Sequence, residues 1–192
     1  MAEYYFEIKR NQMEGMNNVL PVYEELAAEL AKETGRNYAP VEDYRADDAD
    51  YVIVIMSSAA GVVKDVVDEL RDEGVKAGML RVRFFRPFPA EEFKRLARGK
   101  KGVAVLDRSA SIGGTAPLAA EIKSVLYDLE ERVPVQEYIF GLGGPRAPGR
   151  PASGFRGGRA RRIRAHDEER LPRGRALHRT SRKGRRRCAR LT

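Results

Sequence analysis

From its amino terminus the chain switches repeatedly between two hydrophobic periods. Over residues 22–35, Val22, Leu26 and Leu30 return every four residues in a run rich in Ala, Glu and Leu, which predicts an amphipathic helix ended by Gly35; Pro21 suits its first turn. YVIVIM at 51–56 is a continuous, β-branched apolar run, too short for a helix and typical of a central parallel strand covered on both faces. Ser57 and Ser58 follow, either able to cap, and Val62, Val63, Val66, Val67 and Leu70 then keep helical spacing up to Gly74. Within 75–85, Leu80, Val82 and Phe84 alternate with Arg81 and Arg83, the pattern of a strand with one buried face and one wet or salt-bridged face. Pro87 and Pro89 stop it.

A short helix is predicted at 90–98 from Phe93, Leu96 and Ala97, with Gly99 past its end, and GVAVL at 102–106 reads as another buried strand. After the turn DRSASIGGTAP, Leu118, Ile122, Val125 and Leu126 form one helical stripe with Pro117 in the first turn, and 135–140 is a last strand ending at Gly141. Residues 37–44 could add a short edge strand, with Pro40 and the acids Asp47, Asp48 and Asp50 working against it; those acids read as a solvated loop. Strict alternation of strand and helix predicts an α/β three-layer sandwich with a mostly parallel, right-handed sheet and helices on both faces.

Charge divides the chain in two. The last 50 residues, 143–192, carry 16 Arg and one Lys against three acids, a net of +14, so the remainder holds −6 and the overall +8 belongs to the tail. That tail lacks apolar periodicity and repels itself, so it is expected to be disordered. The expected organisation is a connector at 1–20, an α/β domain at 21–144 and a disordered Arg/Gly-rich tail at 145–192. There is no run of 18 apolar residues and no leader pattern at the start, so no membrane partner is expected and the cytoplasm is the expected address.

The same composition narrows the chemistry. Cys188, His166 and His178 all lie in the tail and there is no Trp, so the first 142 residues lack the thiol nucleophile and the side chain that most often serves as general base or metal ligand. In an open α/β sheet, ligands sit beyond the carboxyl ends of the strands, which singles out three loops: 57–61, 86–89 and 107–115. The first lacks the glycines of GxGxxG and the lysine of a P-loop and reads as helix capping, with an anion or CoA site formed with the Gly113 loop as the alternative. In RFFRPFP the strand is expected to end with Phe88 plugging the core and Arg86 paired to a neighbouring acid; subunit contact is the other reading. Gly113 and Gly114 read as turn glycines, and Asp107 with Arg108 as a local ion pair rather than an acid–base couple. No catalytic, cofactor-binding or metal-ligating residue is assigned, and Arg86, Pro87, Phe88, Asp107, Arg108, Gly113 and Gly114 are the candidate subunit-contact residues.

The ordered set YAPVEDYRADDADYVIVIMSS, DVVDELRDEGVKAGMLRVRFFRPFP, VLDRSASIGGTAPLAAEIKSVLY and FGLGG resembles the second domain of the α subunit of 2-oxoacid:ferredoxin oxidoreductases, most closely the pyruvate type, over roughly residues 4–144. The resemblance implies a transketolase C-terminal-like domain in a complex that decarboxylates pyruvate on thiamine diphosphate and passes electrons through iron–sulfur clusters to ferredoxin, yielding acetyl-CoA. It also implies that the thiamine, the clusters and CoA are held by partner modules, that the other subunits are the partners, with ferredoxin an indirect one, and that the chain alone is inactive. The family's preceding pyrimidine-binding domain is absent from the chain, and 1–20 matches the connector before the second domain. Family members carry Gly-Ser after the first central strand where this chain has Ser57-Ser58, which argues against a tight turn at 57. They continue after GLGG with Arg-Asp and a helix, whereas this chain continues PRAPGRPASGFRGG. Two readings of that tail stand: out-of-frame translation of GC-rich DNA, which is adopted and leaves only incidental nucleic-acid binding, and a working nucleic-acid arm through which the protein would act.

Overall fold

The computed structural model describes residues 4–143; the expected basic tail at 145–192 lies outside them. Two helices open the chain, α1 (Tyr5–Asn17) and α2 (Val19–Thr34), followed by β1 (Val41–Tyr44), β2 (Tyr51–Met56), α3 (Ala60–Asp72), β3 (Ala77–Val82), α4 (Ala90–Ala97), β4 (Gly102–Asp107), α5 (Pro117–Leu126) and β5 (Val135–Ile139). The sheet order is β1-β3-β2-β4-β5. β3, β2, β4 and β5 run parallel, and β1 joins β3 antiparallel in the register Val41↔Val82 to Tyr44↔Met79. The tentative edge strand is therefore real, and it begins just after Pro40, whose missing N–H would break a ladder.

β2 lies at the centre, and its alternating side chains enter two different cores. Val52 and Val54 join Leu80, Val82, Val103, Val105 and Phe93 beneath α4 and α5. Ile53 and Ile55 are equally buried on the opposite side, where α3 packs along β2 and β3 with Val63, Val66, Val67 and Leu70 inward. Those are the three layers that the alternation of elements implies. Gly78 lets the loop between β1 and β2 cross β3: a Cβ there would lie 2.7 Å from the Ala46 Cα and from the Arg45 carbonyl oxygen. Arg71 of α3 fastens that loop, donating to the Ala77 carbonyl at 2.7 Å, the Arg45 carbonyl at 2.6 Å and the Asp48 carboxylate at 2.6 and 3.0 Å. The acidic loop is thus solvent-facing, as expected, but not simply solvated, since Asp48 pairs with Arg71 and Asp50 with Lys101.

Arg81 and Arg83 are salt-bridged, as the alternation predicts: both reach Glu42 of β1, at 3.3 and 2.6 Å, and Lys64 of α3 reaches it at 2.6 Å. Burial alone would raise the Glu42 carboxyl, but the hydrogen bond from Lys64 and the charges of Lys64, Arg83 and Arg81 hold it below the ordinary value. The Arg71 hydrogen bond lowers Asp48 to about 2. β3 differs from its expected form at both ends: Gly78 and Met79 are buried, so one-sided alternation begins only at Arg81, and Phe84 lies past the strand, edge-on to Tyr23 of α2 at 4.6 Å.

The amino-terminal helices depart further from expectation. Residues 5–17, read as connector, are helical, and the i→i−4 ladder runs through the joint, from Asn18 N–H to the Glu14 carbonyl and from Val22 N–H to the Asn18 carbonyl, each 3.3 Å. α2 ends at Gly35 in the left-handed region, as predicted. Its Val22, Leu26 and Leu30 stripe, however, is exposed, and the half-buried positions are Val19, Leu20, Tyr23, Ala27 and Ala31.

Two outcomes are expected. Gly78→Ala should lower stability by about 2 kcal/mol, because either β3 or the crossing loop must shift; an unchanged urea midpoint would contradict this. Because Glu42 and Asp48 titrate lower in the folded than in the unfolded chain, their stabilisation is complete above the ordinary carboxylate range and is lost as pH falls toward about 2. Glu42→Gln should cost about 1–2 kcal/mol at neutral pH and flatten the acid limb of the stability curve, as read by urea titrations across pH.

Candidate functional site

Three loops gather at the carboxyl edge of the parallel strands. The first leaves β2 through a single 3-10 turn, Ser57–Ala59, with Ser57 at φ 66°. A tight turn at 57 therefore exists despite the missing glycine, and serine holds the left-handed conformation at an expense of about 1 kcal/mol. Neither serine caps the helix through its side chain; Ala59 occupies the cap of α3, and both serines are exposed.

The second loop follows β3. Its Arg86–Pro87 bond is cis. Phe88 packs against the core and lies edge-on to Phe93 of α4 at 5.6 Å, so it plugs the core as expected. Arg86 does pair with an acid, Glu121 of α5, at 2.7 Å, while its guanidinium stacks 4.4 Å from the centre of the Phe85 ring. Arg86 remains more than half exposed.

The third loop, after β4, is the most constructed of the three. Asp107 does not form the expected ion pair with Arg108. One carboxylate oxygen instead accepts from the Ser109 N–H at 3.1 Å and the other from the Leu118 N–H at 2.8 Å, in the first turn of α5. Sequence spacing gave no hint of this, because the acid stands 11 residues ahead of the N–H it caps. Glu137 of β5, which sequence reasoning also missed, accepts from the Ala116 N–H at 3.0 Å and lies 3.7 Å from Lys123. Arg108 leans instead toward Gly141, whose carbonyl is 3.5 Å away. Gly113 is a turn glycine at φ 73°; Gly114 needs no special backbone angle. Between these anchors the loop projects, and Ile112 is fully exposed at its tip, with Leu142 59% exposed on the neighbouring strand end.

The seven candidate contact residues thus fall on two of the three loops at one edge of the sheet. Among the described residues no group of three His, Cys, Asp or Glu side chains could hold a metal ion, and no helix is long and apolar enough to cross a membrane. A thiolate-held iron–sulfur cluster does not fit residues 4–143, which include no cysteine.

Residues 49–148, 100 of 192, match the family model described as pyruvate:ferredoxin oxidoreductase core domain II. The pyruvate synthase subunit PorA of Thermotoga maritima is 48% identical over 144 residues, 75% of this chain and 37% of that protein. The alpha subunit of NADH-dependent phenylglyoxylate dehydrogenase from Aromatoleum evansii is 40% identical over 142 residues, 73% of this chain and 34% of that protein. Among solved structures, a split-gene transketolase in an inactive tetramer aligns over 53% of this chain and 33% of that one, with 21% identity and a TM-score of 0.44. The chain spans a little over a third of the length of the curated relatives it matches.

Removing the Asp107 carboxylate should uncap α5 and free the Ser109 N–H. Asp107→Ala is expected to cost about 1–2 kcal/mol, read as a lower thermal midpoint, and Arg108→Ala little. The reverse order would mean that Arg108, not Asp107, anchors the loop.

Proposed function

The chain belongs to the pyruvate:ferredoxin oxidoreductase family, and from that premise we propose that it is a non-catalytic α-subunit component of a 2-oxoacid:ferredoxin oxidoreductase, with a role in subunit assembly. The complex would oxidatively decarboxylate pyruvate to acetyl-CoA and reduce ferredoxin. Thiamine diphosphate, iron–sulfur clusters and CoA would reside in partner modules, and this domain, 21–144, would meet those modules in the cytoplasm.

One observation carries the reading: both oxygens of Asp107, the acid at the end of β4 where a ligand of an open sheet would lie, are engaged by backbone N–H groups. Glu137 and Glu121 beside it are likewise engaged, by the Ala116 N–H and by Arg86. What the edge offers outward is Ile112, Leu142 and the stacked Arg86, the mix of apolar and arginine side chains that protein interfaces favour. We assign contact with the other subunits to the two loops holding Arg86, Pro87, Phe88, Asp107, Arg108, Gly113 and Gly114. Pyruvate is proposed because the Thermotoga relative is a pyruvate synthase subunit; the match to a phenylglyoxylate enzyme supports placing the choice of acid outside this domain.

Mixing the full chain with the thiamine- and cluster-bearing subunits of such an enzyme should give a complex that survives gel filtration. Ile112→Asp should abolish it without moving the chain's thermal midpoint, because the side chain is already in water. A chain that ignores those subunits, or an Ile112→Asp variant that binds them unchanged, would refute the assignment.

A further inference from the structure

One carboxylate carries three cations where the antiparallel edge of the sheet meets α3. Lys64 and Arg83 each lie 2.6 Å from Glu42 and Arg81 lies 3.3 Å from it, and the three side chains keep between 18% and 36% of their surface exposed. The other salt bridges among the described residues pair one cation with one carboxylate, as in Arg45–Asp68, Arg71–Asp48 and Arg86–Glu121. Asp68 of α3 does not redress the balance, because Arg45 and the Tyr44 hydroxyl already occupy its two oxygens. Two positive charges are left over around Glu42.

Those cations are held in place. Arg83 donates through Nε to the Ala39 carbonyl at 2.9 Å and stacks 5.2 Å from the centre of the Tyr38 ring, and Lys64 lies 5.2 Å from the centre of the Tyr44 ring. Glu42 accepts from Lys64 through Oε1 and from Arg81 and Arg83 through Oε2. A carboxylate has about four lone-pair sites, whereas two guanidiniums and an ammonium carry about a dozen N–H donors. Donors therefore outnumber the acceptors that Glu42 supplies, and a planar guanidinium fork matches the oxygens of an oxyanion.

We infer that Lys64, Arg81 and Arg83 bind a phosphoryl dianion, free phosphate or a phosphate monoester, beside Glu42. Its two negative charges match the surplus, and its three strong acceptor oxygens match the remaining donors. Chloride or a single carboxylate brings one charge only. The site lies on the α3 side of β1 and β3, separated by β2 from the strand whose loop carries Ile112, so it stands apart from the subunit reading.

The test titrates inorganic phosphate and glycerol 2-phosphate against the full 192-residue chain above the second pKa of phosphate, with potassium chloride holding the ionic strength constant. Phosphate should raise the thermal midpoint along a saturating curve, as a ligand of the native form must. An equal rise with the ester assigns the site to monoesters, and a rise with inorganic phosphate alone assigns it to the free ion. Arg81→Gln should weaken the apparent affinity at least about tenfold. Because Glu42 competes for the same donors, Glu42→Gln should bind phosphate about tenfold more tightly and regain with it most of the midpoint that the variant loses without it. The cations beyond residue 143 are the same in every chain compared, so they produce no difference between variants. No rise beyond that of chloride, an undiminished rise in Arg81→Gln, or weaker binding by Glu42→Gln would each overturn the inference; if Arg81→Gln does not fold, the Glu42→Gln comparison decides.

Discussion

A single strand buried on both faces sets the terms for everything around it. β2 has no solvent side: Val52 and Val54 need α4 and α5, and Ile53 and Ile55 need α3. The chain must therefore cross the sheet in both senses, from β2 to β3 over one face and from β3 to β4 and β5 over the other, and right-handed crossovers bring the strands out in the order β1-β3-β2-β4-β5. Since β3, β2, β4 and β5 are parallel, the loops that leave β2, β3 and β4 emerge together at one edge. The position of the candidate site follows from where apolar side chains must go.

The same edge is what favours the proposed supporting role. In many open α/β sheets it supplies unengaged carboxylates or N–H groups to a ligand. Here the carboxylates at 107, 121 and 137 are tied to the Leu118 N–H, Arg86 and the Ala116 N–H. Such anchoring stiffens the base of the 107–117 loop and holds its tip, with Ile112, out in water. A stiff loop presenting an apolar tip loses little freedom on binding, which favours a contact residue over a group that must move. In residues 4–143 neither cysteine nor histidine compensates.

Much of this was legible in the sequence. YVIVIM declared a doubly covered strand because no polar residue interrupts it, and GVAVL did the same for β4. Arg81 and Arg83 declared a polar face by alternation, although their shared partner, Glu42, comes from an edge strand that Pro40 made doubtful. What escaped was long-range. Asp107 looked like a partner for Arg108 because the two are adjacent, whereas its acceptors face N–H groups that only the turn brings close. Gly78 has its reason only in the fold, where the Arg45–Ala46 backbone crosses it. Periodicity identified Val22, Leu26 and Leu30 as one apolar row but could not say whether this chain covers it, and the described body does not.

On the proposed reading the domain holds a catalyst together and performs none of its steps. The most direct measurement is 2-oxoacid-dependent, CoA-dependent reduction of ferredoxin by the purified chain supplied with thiamine diphosphate and no other subunit. The account predicts no turnover above a blank without protein. Sustained ferredoxin reduction by the chain alone would contradict it.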